Sequence, residues 1–167
     1  MAIVPAYIGM GSNLHNPPRQ LRQALAHLAE LSSATLMQVS GFYRNPAMNA
    51  PGLAEQPDFV NAVARLDSQL SPHELLDQLQ AIERRQHRQR DRDLRWGPRT
   101  LDLDLLVYGD VQLADDRLTI PHPGLEHRPF VVFPLVEIEP QLIVPGMGEI
   151  GEIAARLDAG QLLRIDS

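Results

Sequence analysis

The segment Arg95-Trp96-Gly97-Pro98-Arg99-Thr100-Leu101-Asp102-Leu103-Asp104-Leu105-Leu106 sets two carboxylates inside a hydrophobic run, directly after a concentration of arginines. Thr100, Leu101, Leu103, Leu105 and Leu106 interleave with the acids, which predicts a strand whose side chains alternate between faces. Asp102 and Asp104 then share one face, about 7 Å apart, within reach of one metal ion or of two ions roughly 4 Å apart. Two neighbouring anions in a core strand are costly without a counter-charge. From the Asp-Leu-Asp spacing alone, an edge strand whose acids meet water or arginine fits equally well. The flanking arginines favour a metal and phosphate site.

Seven arginines fall between Arg84 and Arg99, the one strong positive field in a chain of formal net charge −6. Arginines at a helix end, where they meet the last carbonyls, account for Arg84, Arg85 and Arg88. They do not account for Arg95 and Arg99, which straddle Trp96-Gly97-Pro98. Guanidinium groups suit polyphosphate because they are planar, bidentate and permanently charged. Magnesium suits the acids that follow, since it takes carboxylate oxygen and keeps waters and phosphate oxygens as its other ligands. None of the 15 basic residues is lysine, which excludes Schiff-base chemistry and the lysine-bearing P-loop. The absence of cysteine removes disulfides and thiolate catalysis. A net acidic chain argues against nucleic acid or an acidic membrane as partner. No run approaches a membrane span and the N-terminus lacks a basic flank, so a soluble cytoplasmic protein is expected. A chain of 167 residues with 44% hydrophobic content is expected to form one domain over 1–167.

Ile3 to Gly9 predicts a first strand, with Gly9-Met10-Gly11-Ser12-Asn13 read as a turn and not as a phosphate cradle. Asn16-Pro17-Pro18 predicts a helix start, and Leu21, Ala24, Leu25, Leu28 and Leu31 fall on one helical face. Strands follow at about Thr35 to Tyr43 and Phe59 to Leu66, separated by the Pro/Gly/Asn-rich Asn45 to Pro57, a candidate substrate cover. Ser71 and Glu74 have capping-box spacing before a helix that turns Leu75, Leu76, Leu79 and Ile82 inward. The Asp-Leu-Asp strand comes next, then a short strand at Leu118 to Ile120 and helices around Phe130 to Glu137 and Ile150 to Leu157. The order strand, helix, strand, strand, helix, strand is that of an α+β, ferredoxin-like split βαβ sheet with helices packed on it. That topology alone implies no activity.

Other candidates admit two readings each. Trp96 is a core aromatic or part of a loop lid. His122 lies between Pro121 and Pro123, and Arg128 follows closely, which favours a phosphate contact over a surface role. His15, His27, His73, His87 and His127 have no comparable setting. Phe59 and Asn61 share a strand face; the amide either ties down the long loop or reads the edge of a flat heterocycle.

These pieces together resemble the 6-hydroxymethyl-7,8-dihydropterin pyrophosphokinase family of folate biosynthesis over nearly the whole chain. The carriers are Tyr7 to Leu14, Phe42-Tyr43-Arg44-Asn45-Pro46, Gln56 to Asn61, the arginine block through Asp104, and Leu118-Thr119-Ile120-Pro121-His122. The resemblance implies transfer of pyrophosphate from ATP to the pterin's hydroxymethyl oxygen, giving AMP. It implies that Asp102 and Asp104 hold two magnesium ions and that Arg88 and Arg99, with His122 and Arg128, engage phosphates. Gln80, Leu105, Leu118 and Thr119 would line the nucleotide site, with Arg90 and Trp96 in a loop that closes on ATP. The pterin would lie between Phe59 and Phe130, with Asn61 reading its edge and Asn45, Pro46 and Met48 contributing nearby. The chain departs from the family pattern at His87, where glycine is common, with one extra residue after Glu83. It departs again at Asn45 and Phe59, where threonine and tyrosine are common. Two other classes remain open at this point: a metal-dependent phosphodiesterase or nuclease, and a nucleotide- or RNA-binding module built on Arg84 to Arg99.

Overall fold

The computed structural model describes residues 2–46, 57–87 and 101–165. In chain order the elements are β1 (Val4–Ser12), α1 (Pro17–Ala29), β2 (Ala34–Val39), β3 (Phe42–Asn45), β4 (Phe59–Ser68), α2 (Pro72–His87), β5 (Asp102–Tyr108), β6 (Leu113–Ala114) and β7 (Thr119–Ile120). They continue with α3 (Pro129–Ile138), β8 (Ile143–Val144), β9 (Gly148–Glu149), α4 (Ile150–Ala155) and β10 (Leu163–Ile165). The main sheet runs β10-β3-β4-β1-β5, and β2 pairs with the far half of β4 beside β3. Every pairing in it is antiparallel, because the α1 crossover leaves room for β4 and the α2 crossover leaves room for β1. This is the ferredoxin-like split βαβ arrangement that the element order predicts.

Period-two alternation gives the sheet two different faces. Ala6, Ile8 and Met10 of β1, Ala62, Ala64 and Leu66 of β4, and Leu103 and Leu105 of β5 meet Leu21, Ala24 and Leu28 of α1 and Leu75, Leu79 and Ile82 of α2. On the opposite face, Tyr7, Val63, Leu106 and Val107 pack against Val131, Val132 and Leu135 of α3 and Ile150 and Ile153 of α4. A register irregularity of β1 against β5 at Tyr7/Ile8 lets Leu106 and Val107 both join this second cluster. The second cluster closes one end of its face. At the other end, Asp102 and Asp104 are half-buried.

Both main helices start as predicted. Asn16 caps α1, its side-chain oxygen accepting the Arg19 N–H at 3.4 Å, with Pro17 at the first helical position. At α2 the reciprocal box is complete: the Ser71 N–H donates to Glu74 Oε1 at 2.9 Å, and the Glu74 N–H donates to Ser71 Oγ at 3.2 Å. These bonds hold the Glu74 carboxyl below its ordinary range. Ser71→Ala should therefore lower stability by about 1 kcal/mol, read as a shifted denaturant midpoint with an unchanged slope.

Two expectations are corrected. The Gly9–Asn13 turn does not form; β1 runs through Ser12, with Gly9 opposite Asp104 and Gly11 opposite Asp102. The predicted strand from Thr35 to Tyr43 is broken at Ser40–Gly41 into β2 and β3. Ser40 Oγ there accepts the Val63 N–H at 2.9 Å, a side-chain bond in place of a ladder bond.

Candidate active site

Register alone assembles most of the site. A row of paired residues crosses the open end of the sheet from Tyr43 through Asn61 and Gly11 to Asp102, and the next row runs from Val63 through Gly9 to Asp104. Asn45 and Phe59 pair at the end of β3 and β4. Two glycines thus separate the amide of Asn61 from the acids of β5 and leave the space above them open.

At Gly11 a side chain would force a neighbour to move. A Cβ there would lie 2.7 Å from Asn61 Oδ1 and 4.0 Å from Phe59 Cδ1. At Gly9 the nearest atoms are the Leu106 methyls at 3.3 Å, the far end of a flexible side chain. Asn61 is buried and its Nδ2 donates to Asn45 Oδ1, while Asn45 Nδ2 donates to Pro46 O at 3.3 Å. Asn13 Nδ2 donates to Pro57 O at 3.1 Å, which fixes the chain just before Phe59. Of the predicted pterin residues, Asn45, Phe59 and Asn61 are brought together, and Pro46 follows directly. Phe130 lies in the first turn of α3 and packs against the second cluster. Met48 lies outside the described residues.

The end of β3 is fixed from α3. Glu137 accepts the Tyr43 phenol at 2.5 Å and the Gly41 N–H at 2.8 Å, with Arg164 Nη2 at 3.4 Å. Burial, reinforced by the Glu137 hydrogen bond and charge, pushes the Tyr43 phenol up to about 12, so it stays a donor. Although burial works against its charge, the bonds from Tyr43, Gly41 and Arg164 hold the Glu137 carboxyl below its ordinary range.

β5 is an edge strand of the main sheet, so one feature of the edge-strand reading is correct. Its start is tied to α2 by the Leu103 N–H, which donates to Glu83 Oε2 at 2.8 Å. Beyond it, the His122 N–H donates to Leu106 O at 2.8 Å, bringing the Pro-His-Pro segment alongside β5. His122 Nδ1 donates to Pro123 O at 2.9 Å, which leaves Nε2 facing Asp104 Oδ1 at 3.8 Å. At that distance the contact is a charge interaction for an imidazolium, not a hydrogen bond.

Asp104, Leu105, Leu118, Thr119 and His122 line one cleft of about 300 Å³, together with Asp115, Asp116 and Arg117. Gln80 joins through Arg117 Nη2, which donates to its Oε1 at 3.4 Å. Arg128 stands at the N-terminus of α3 and does not line this cleft. Arg88, Arg90, Trp96 and Arg99 lie outside the described residues. Asp115 and Arg117 were not among the residues singled out in the sequence. Asp115 Oδ1 accepts the N–H groups of Arg117 and Leu118, both at 2.9 Å, and these bonds, with a smaller contribution from His73, hold its carboxyl below the ordinary range. Asp-Asp-Arg after a strand is an Asx-turn signal that could have flagged the segment.

No group of three or more candidate metal ligands occurs among the described residues. Two half-exposed carboxylates on one strand face nevertheless fit magnesium that arrives with a nucleotide. That ion is held by one or two carboxylates, substrate phosphates and water, and not by an all-protein cage.

A family model described as 7,8-dihydro-6-hydroxymethylpterin-pyrophosphokinase matches residues 7–140. A 2-amino-4-hydroxy-6-hydroxymethyldihydropteridine pyrophosphokinase from Haemophilus influenzae is 43% identical over 164 residues, covering 98% of this chain and 99% of that protein. The Pseudomonas aeruginosa protein of the same name is 45% identical over 149 residues, 89% of each chain. Among solved structures, an HPPK-DHPS in complex with substrates superposes with a TM-score of 0.74 over 98% of this chain at 10% identity. The present chain spans about half of that one, 47%, and at such identity the likeness speaks for the fold alone. With sheet order, site rows and these relatives in agreement, the chain belongs to the 7,8-dihydro-6-hydroxymethylpterin-pyrophosphokinase family.

Proposed function

We propose that the chain, acting as one monomeric cytoplasmic domain over 1–167, transfers the terminal pyrophosphoryl group of ATP to the hydroxymethyl oxygen of 6-hydroxymethyl-7,8-dihydropterin in folate biosynthesis. Among the described residues no helix is long and apolar enough to cross a membrane. The observation that carries the reading is the row Asn61–Gly11–Asp102, which places an amide suited to a heterocycle edge one open strand away from the acids. In the reaction the hydroxymethyl oxygen forms a bond to the β-phosphorus. The bond from that phosphorus to the oxygen bridging it to the α-phosphate breaks, AMP leaves with that oxygen, and the hydroxyl proton is lost.

Asn61 and Asn45 orient the pterin edge, with Pro46 and Met48 nearby, and the ring lies between Phe59 and Phe130. Leu105, Leu118, Thr119 and Gln80 receive the nucleotide in the cleft. His122, Arg128, Arg88 and Arg99 meet phosphate charge, and Arg90 and Trp96 cover the nucleotide. Asp102 and Asp104 would hold two magnesium ions, which supply charge neutralisation along the triphosphate. Asp104, the acid that lines the cleft, would accept the hydroxyl proton. Such a transfer needs positioning and electrostatics more than a strong base, and this residue set provides both.

Incubation with ATP, magnesium and the pterin should yield AMP and pterin diphosphate in equal amounts, with no AMP when the pterin is omitted. ADP, pterin-independent hydrolysis, or binding without turnover would leave the fold reading standing and move the function to one of the other two classes, the metal-dependent hydrolase or the nucleotide-binding module. Chelation of magnesium should abolish turnover, and activity that survives it would remove the metal assignment.

A further inference from the structure

The β6–β7 hairpin carries Leu118 and Thr119 into the nucleotide cleft, yet each of its strands has only two residues. A hairpin that small does not hold its own geometry in water, so its tethers decide where it sits. One tether is the β5 side, through the His122 N–H to Leu106 O. The other is α2. His73, Asp77 and Gln80 follow the i, i+4, i+7 spacing of one helical stripe. His73 Nε2 meets Asp115 Oδ2 at 2.7 Å, and Arg117 Nη2 meets Asp77 Oδ1 at 2.6 Å. Asp115 uses its other oxygen to close the hairpin turn on the N–H groups of Arg117 and Leu118. A single carboxylate therefore shapes the turn and ties it to the helix. Neither His73 nor Asp77 lines the cleft itself.

We propose that His73 and Asp77 are positioning residues for the nucleotide: through Asp115 and Arg117 they clamp the β6–β7 hairpin to α2 and so set the cleft that Leu118 and Thr119 line with Asp104 and Leu105. The proposal rests on the pyrophosphokinase reading for its ligand, ATP, but not for its geometry. A loosened hairpin samples positions that do not fit the nucleotide, and the apparent affinity falls by the fraction of time the fitting position is lost.

The test compares the full-length wild type with Asp77→Ala, Asp77→Asn, the double variant His73→Ala/Asp77→Ala, and Ser71→Ala. Calorimetry with ATP and magnesium gives nucleotide affinity; steady-state assays give kcat and the KM of each substrate. Asp77→Ala should raise the Kd and KM for ATP about 3- to 5-fold, the upper range for one exposed ion pair. Its kcat and pterin KM should stay at wild-type values. Asp77→Asn, which keeps an acceptor oxygen for Arg117, should recover part of the loss, and the double variant should exceed it. Ser71→Ala should lose stability at the start of the same helix without moving the KM for ATP. Wild-type ATP affinity in Asp77→Ala, or a joint fall of kcat, pterin affinity and stability, would overturn the clamp. A wild type that binds ATP but makes no pterin-dependent AMP would overturn the reaction reading alone, and the clamp would still be judged by calorimetry.

Discussion

Asp104→Ala should lower pterin-dependent AMP formation by about 10³-fold while leaving the fold intact. The two halves of this expectation have separate physical grounds. Stability is spared because Asp104 lies on an edge strand with its side chain 46% exposed, whereas the neighbours that hold β5 in place, Leu103 and Leu105, point into the opposite, helix-covered face. Removing a half-exposed carboxylate beside Asp102 relieves like-charge repulsion and takes away little packing, so the thermal midpoint should move by no more than about 2 °C. Catalysis should suffer because Asp104 both lines the cleft proposed for the nucleotide and faces His122. Asp104→Asn isolates charge from shape: it keeps the volume and one acceptor oxygen but cannot neutralise a cation, and it should be nearly as inactive as alanine. If the asparagine variant turned over at a wild-type rate, neither the metal role nor the proton role of Asp104 would stand.

What the sequence made legible follows from the range of the interactions involved. β5 is readable because its pattern is local: leucines at alternate positions must face one way, so the acids between them face the other. The caps of α1 and α2 are readable for the same reason, each being a bond between residues three apart. The glycines of β1 were misread because Gly-x-Gly-Ser-Asn is turn chemistry taken alone. The alternation Ala6, Ile8, Met10 against Tyr7, Gly9, Gly11 already carries the strand through them, and only the partner side chains explain why the second face is empty there. The break at Ser40–Gly41 depends on Val63, and the clamp on the β6–β7 hairpin joins residues about forty positions apart. No periodicity within a segment encodes such pairs; they arise once the α2 crossover lays the helix beside the hairpin.

Gly11→Ala should weaken pterin binding about 10- to 100-fold, the range for leaving a buried polar group without its partner. It should leave ATP affinity within about 2-fold, because no residue of β1 lines the cleft proposed for the nucleotide. The added methyl would meet Asn61 Oδ1 at 2.7 Å, closer than such atoms approach, so one of them has to move. The backbones cannot separate easily, since β1 is paired to β4 on one side and to β5 on the other. The Asn61 side chain is the softer element, and turning it away breaks its bond to Asn45 Oδ1 and moves the amide off the pterin edge it is proposed to read. Gly9→Ala provides the contrast on the same strand: its methyl would meet the Leu106 side chain, whose methyls are nearest at 3.3 Å and can shift by a few tenths of an ångström, so pterin binding there should stay near wild type. Fluorescence titration of the pterin against both variants separates the two positions. Equal affinities in Gly9→Ala and Gly11→Ala would mean that Asn61 does not read the pterin. A loss confined to Gly11→Ala would mean that the glycine's role is to admit the Asn61 amide, and that the strand was built smooth on this face for the substrate's sake.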